Sequence, residues 1–281
     1  LLKFLQGAEM TRSSAEERQS TGLAVVGVKL YADGALGSRG AALLEDYADQ
    51  PGHRGLLLTS AERLAQDLAL CAAAGLQPAV HAIGDRANRM VLDACAERLA
   101  ADPSFGELCP RIEHAQVVAA PDRGRFAALG VVPSMQPVHC TSDMPWAPER
   151  LGPDRIAGAY AWRRLAPDPS ALAFGSDFPV EDPAPLLGLY AAVTRRTPAG
   201  EPAGGFPDAA QRLTLREALA AFPPGAARAA RQEASRGRLE PGYFADLTVL
   251  DRDPFAGPPE ELLRTRVLMT VVSGRVAYSG G

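Results

Sequence analysis

Imidazole, carboxylate, amine and amide side chains recur in this sequence at one kind of place, the polar end of a short apolar run. Lys29 comes near the end of Val25 to Leu30, His81 near the end of Pro78 to Ala82, and His114 closes Arg111 to His114. Gln136 and His139 follow Val131 to Met135, and Asp177 follows Ala171 to Gly175. Taken alone, His81 reads as a hydrogen-bonded core histidine, because a neutral imidazole in an apolar strand needs a partner. His114 repeats the arrangement one unit later, which turns the reading toward a two-imidazole site suited to zinc and other borderline divalent metals. Asp177 adds a carboxylate that can bind metal and take a proton from a metal-activated water, whose pKa falls from about 15.7 to near 7. Its alternative use is as N-cap of a helix beginning near Pro183, a place Asp182 suits better. Lys29 is the odd member, since a buried lysine in a parallel strand needs neutralising or pairing. Carboxylation of its amine by CO2, giving a ligand able to bridge two metals, and an ion pair with Asp33 or Glu113 both fit its position.

The elements that must position these residues alternate strand and helix, the pattern of βα units around a parallel sheet. The five runs just named are the strand candidates. Thr59 with Glu62 reads as a capping box opening a helix whose apolar face is Leu64, Leu68 and Cys71 and which ends near Gly75. A second helix spans about Asp85 to Ala100, Pro121 opens a short one ending before Gly130, and Thr214 with Glu217 caps one that Pro223 and Pro224 stop. The C-terminal end of each strand is where the βα loops of an α/β barrel converge on an active site, so the polar residues gather at one mouth. Gly242 to Leu250 and Val267 to Tyr278 are β-rich instead, with Ser273-Gly274 as a tight hairpin turn.

With 281 residues, 47% of them hydrophobic, the chain can bury a sizeable core, and its formal net charge of -4 lacks the basic footprint of a nucleic-acid or anionic-membrane binder. A small molecule is the expected partner. Cys71, Cys95, Cys109 and Cys140 form no CxxC pair and read as small core residues of a reducing compartment. No run of about 18 apolar residues and no signal-peptide pattern is visible, so no membrane span and a cytoplasmic location are expected.

Six stretches carry a family resemblance: Lys29 to Leu43 (KLYADGALGSRGAAL), His81 to Ala87 (HAIGDRA), Arg111 to Gln116 (RIEHAQ), Ser134 to Asp143 (SMQPVHCTSD), Phe174 to Val180 (FGSDFPV) and Gly237 to Pro254 (GRLEPGYFADLTVLDRDP). In this order and spacing they resemble the amidohydrolase superfamily, in its YtcJ-like branch that includes N-substituted formamide deformylases. The resemblance implies a distorted (β/α)8 TIM barrel, with strands 4 to 8 present here, plus a small C-terminal β-sandwich portion. It divides the chain into an N-terminal segment 1–24, a partial barrel 25–235 and a β-sandwich module 236–281. It also implies hydrolysis of an amide or other non-peptide C–N bond at one or two divalent metal ions, zinc by preference. Lys29, His81, His114 and Asp177 would be the metal ligands, with Asp177 also the general base. Gln136 and His139 would line the substrate side, and Arg39 and Arg86 would bind an anionic substrate group or pair with nearby acids.

The sequence departs from the family's pattern in one large respect: members carry a His-x-His pair on the first barrel strand, and none occurs here, His53 being the one histidine left over. The expected parent is therefore a longer chain of which this is the C-terminal portion, with feeble or no activity for this portion alone. A truncated, catalytically silent relative serving as a binding or assembly module is the alternative from a different class. A deaminase or cyclic amidase is the enzymatic one. An incomplete barrel would also expose apolar strand edges, so a homodimer is expected.

Overall fold

A computed structural model of the chain describes residues 25–206 and 208–280; the N-terminal segment 1–24 lies outside the described residues. Along the chain run β1 (Gly27–Tyr31), α1 (Ala61–Ala74), β2 (Gln77–Ala82), α2 (Asp85–Ala101), β3 (Arg111–His114), α3 (Arg125–Leu129), β4 (Val132–Met135), α4 (Pro137–Asp143) and α5 (Ala147–Ile156). These are followed by α6 (Trp162–Leu165), β5 (Ala173–Phe174), α7 (Pro185–Thr194), α8 (Leu215–Ala221), α9 (Pro223–Ala229), β6 (Leu247–Leu250), β7 (Val267–Val272) and β8 (Arg275–Ser279). The first five strands follow one another in sheet order, and β6, β7 and β8 form a separate sheet. The described residues divide into two compact units, one of those up to Pro133 with Trp146–Ala161, the other of Ser134–Pro145 with those from Trp162 on.

In the first unit β1, β2 and β3 are parallel, with Tyr31 opposite His81 and His81 opposite Glu113. One sheet face is apolar: Val28, Leu30, Val80, Ala82 and Ile112 are buried, as are Leu64, Leu68 and Cys71 of α1 and Val91, Leu92 and Cys95 of α2. The other face carries Lys29, Tyr31, Ala79, His81, Arg111 and Glu113, which follows from the period of two along each strand. Lys29 is exposed on that face, which corrects the expectation of a buried lysine: Val28 and Leu30 take the buried positions and the alternation turns Lys29 outward. Helix α1 starts one residue later than expected. Ser60, in extended conformation, caps it by accepting from the Arg63 amide, and left-handed Gly75 ends it. Gly130 likewise ends α3.

In the second unit Ser134 and Met135 of β4 pair in parallel with Ala173 and Phe174 of β5. The Thr214–Glu217 capping box opening α8 is present in both directions, but Pro223 and Pro224 open α9 rather than merely ending α8. Asp182 is not a helix cap: its Oδ1 accepts from the Ala184 amide at 2.8 Å, and α7 starts after Ala184. β6 pairs with β7 and β7 with β8, all antiparallel, and Ser273 and Gly274, both at positive φ, make the two-residue turn between β7 and β8. No helix among the described residues is long and apolar enough to cross a membrane. All four cysteines are free; burial pushes the thiols of Cys71, Cys95 and Cys140 up to about 12.

Gly84, which opens α2, faces the backbone of the β1 loop so closely that an added Cβ would lie 2.0 Å from the Ala42 carbonyl oxygen. Gly84→Ala is therefore expected to destabilise the protein by about 1–3 kcal/mol or more, read as a lower urea midpoint at unchanged slope. An unchanged midpoint would show that the Ala42 segment yields freely.

Candidate functional site

In the first unit the polar end of the sheet is organised by Asp33, two residues beyond β1. Its side chain is fully buried and accepts the amides of Ala42 at 2.8 Å, Ile83 at 2.9 Å and Gly84 at 2.8 Å. Burial outweighs these donors and pushes its carboxyl up to about 6. Asp85, at the start of α2, accepts from the Leu44 amide and is also raised by burial. The Asn88 side-chain amide donates to the carbonyls of Ala82, Gly84 and Val117, closing the turn after β2 from the other side. The backbone of the two βα loops is thus held by Asp33, from the loop after β1, and by Asp85 and Asn88, from the start of α2.

Against this frame lie the two histidines. The His81 and His114 ring centroids are 4.5 Å apart, edge to face, and Tyr31 lies 5.4 Å from His81. Strand parity places His114 on the apolar face with Ile112, yet its ring meets His81, which belongs to the other face. The left-handed backbone at His114 (φ 77°) and Ala115 (φ 40°) reconciles the two, by ending the strand's alternation at the histidine itself. His81 Nε2 is 3.6 Å from Asp33 Oδ1. Lys29 Nζ stands 5.3 Å from the Tyr31 ring centre. Glu113 takes Arg111 Nε at 2.5 Å, and Arg111 also donates to Gln77. Arg39 meets Asp49 with two hydrogen bonds, 3.2 and 2.8 Å, the structural pairing, whereas Arg86 is exposed in the first turn of α2.

In the second unit Gln136 is buried just before α4, its amide donating to the Ser134 carbonyl. His139 lies in the first turn of α4, and burial lowers its pKa although Glu181 and Asp177 pull the other way. Asp177 is exposed after β5 at φ 59°, and its carboxylate lies within 4.8 Å of a His139 ring nitrogen. Glu181 was not among the residues singled out from sequence; only its proximity to a histidine reveals it.

The donors fit a divalent metal of borderline softness: imidazole nitrogens in pairs, with carboxylate oxygens near them, and no thiolate among them.

Three comparisons bear on these residues. The chain matches the model of the family described as "Amidohydrolase family" over residues 5–278. It is 37% identical over 251 residues to the protein YtcJ of Bacillus subtilis (strain 168), covering 89% of this chain and 46% of that protein. It is 30% identical over 209 residues to the N-substituted formamide deformylase of Arthrobacter pascens, covering 73% and 37% respectively. Among solved structures, an uncharacterized metal-dependent hydrolase from Pyrococcus horikoshii OT3 superposes with a TM-score of 0.79 at 33% identity, over 92% of this chain and 50% of that one. The chain thus spans about half or less of the length of these relatives.

The Glu181 charge raises the His139 pKa, so Glu181→Gln is expected to move that pKa further down. An NMR titration of the His139 ring reads this directly, and an upward shift would contradict the assignment.

Proposed function

This chain belongs to the amidohydrolase family, and on that premise we propose that it carries the C-terminal portion of a metal-dependent hydrolase that cleaves an amide or another non-peptide C–N bond. The observation that carries the reading is the pair of imidazoles, His81 and His114, 4.5 Å apart at the ends of adjacent parallel strands. The parallel sheet with its interleaved helices is the α/β metal-dependent hydrolase fold; its extension to a full TIM barrel, with residues 25–235 as part of the barrel and 236–281 as part of a β-sandwich, belongs to the proposal.

In this reading Lys29, His81, His114 and Asp177 hold one or two divalent ions, zinc by preference, with Lys29 carboxylated. A bound ion supplies Lewis acidity toward the amide carbonyl and lowers the pKa of water toward neutrality. Asp177 receives a proton on its carboxylate during attack and returns it to the leaving amine. His139 is biased toward neutrality by its burial and offers a ring nitrogen as hydrogen-bond partner to substrate, with Gln136 before it in α4's approach. Arg39 is committed to Asp49, which leaves Arg86 as the better candidate for an anionic substrate group. A homodimer remains part of the proposal, because among the described residues β1 lies at the edge of its sheet.

Elemental analysis of the metal-replete chain after gel filtration tests the site. We expect a bound divalent metal, weakened about 100-fold or more in His81→Ala. A metal-free wild type would sink the site for this chain. In the full-length protein, Asp177→Asn is expected to lower kcat on N-substituted formamides by about 10²–10⁴-fold. Full retention of kcat would remove Asp177 as the base.

A further inference from the structure

The carboxylate that organises the loops of the first unit also faces one of the two histidines. We propose that Asp33 is a positioning residue for His81: its Oδ1 accepts the hydrogen of Nε2, fixing the tautomer and presenting Nδ1 as the nitrogen with the lone pair. The proposal rests on the metal reading only for what Nδ1 then binds.

Three observations support it. First, the hydrogen bonds to Asp33 are unevenly divided. Oδ2 receives the amides of Ala42 and Gly84, while Oδ1 receives that of Ile83 alone, and Oδ1 is the atom 3.6 Å from His81 Nε2. A carboxylate oxygen accepts about two hydrogen bonds, so Oδ1 has capacity for one more. Second, the separation is set by the backbone. Tyr31 lies opposite His81 in the parallel ladder, and the Ala32 amide donates to the His81 carbonyl at 2.9 Å. Asp33 follows directly and cannot drift from the ring. Third, the ring is flanked by Tyr31, inclined at 35°, and by the edge of the buried His114, at 70°. A shift of about half an ångström brings Nε2 to hydrogen-bond length. A buried acceptor at one ring nitrogen determines which nitrogen is left to bind, and makes it a better donor.

The same carboxylate therefore sets the His81 ring and the loops at Ala42 and Ile83–Gly84. In Asp33→Asn the amide oxygen belongs where two amides converge, at the Oδ2 place, so the NH2 takes the Oδ1 place, gives up the Ile83 amide and faces His81. That group donates, so the ring is expected to invert to the Nδ1–H form.

Long-range proton–nitrogen correlation on the ¹⁵N-labelled, metal-free chain at pH 8 decides the matter. The wild type is expected to show Nε2–H as the main His81 tautomer, and folded Asp33→Asn the Nδ1–H form. A wild type with mainly Nδ1–H overturns the proposal even if the variant fails to fold; so does a folded variant with an unchanged tautomer. Competition for Zn²⁺ against a chromophoric chelator is expected to show a 10–100-fold weaker affinity in folded Asp33→Asn. A wild type that shows Nε2–H but takes up no zinc would support the Asp33 assignment and defeat the metal reading alone.

Discussion

A buried carboxylate is an expensive thing to fold around, and Asp33 is tolerated because three backbone amides point at it. Those amides come from the loop after β1 and the turn after β2, two segments also tied by backbone bonds from Arg86 to Ala42 and from Val117 to Ile83. The strands bring Val28, Leu30, Val80 and Ile112 into an apolar layer, and that layer would form with many loop conformations above it. The polar end takes one conformation because Asp33 from below and Asn88 from α2 satisfy groups that would otherwise be buried unpaired. His81 inherits its surroundings from that arrangement.

Much of this was legible as pattern. The strand candidates overlap β1 to β5, and the residues after them fall where the βα turns are. Hydrophobic alternation is a statement about faces, so it located the elements well. It failed wherever the backbone left the regular regions. His114 lies on the wrong parity for a partner of His81 and reaches it through positive φ at residues 114 and 115, which no side-chain pattern encodes. Lys29 was expected to be buried because its neighbours are apolar, but β1 buries only alternate residues. Thr59 and Ser60 are both competent caps, and the choice between them belongs to the chain's entry angle rather than to residue type. Asp33 read as a possible partner for Lys29, since its true partners are amides and sequence lists amides at nearly every position.

The two imidazole-bearing sets differ in how firmly they are built. Around His81 the Asp33 carboxylate and the His114 ring are buried, and the β1–β2 ladder sets the more exposed Tyr31 opposite it. Asp177 instead stands exposed beyond a two-residue strand, in left-handed conformation, with the His139 ring near its carboxylate. An exposed loop of this kind can change without disturbing the layer beneath, because packing energy resides in the sheet and helices and not in the segments that follow them.

The thiols offer an experimental handle of a different sort. Cys71, Cys95 and Cys140 are buried and held near 12, so at neutral pH they present almost no thiolate to an electrophile, whereas Cys109 is partly accessible. Its carbonyl receives the Gln77 side chain at 2.6 Å, and Gln77 leads through Arg111 to Glu113 on the polar face. A fluorophore or spin label attached with a maleimide would thus report from a single place at the foot of β3, with no cysteine needing to be removed first.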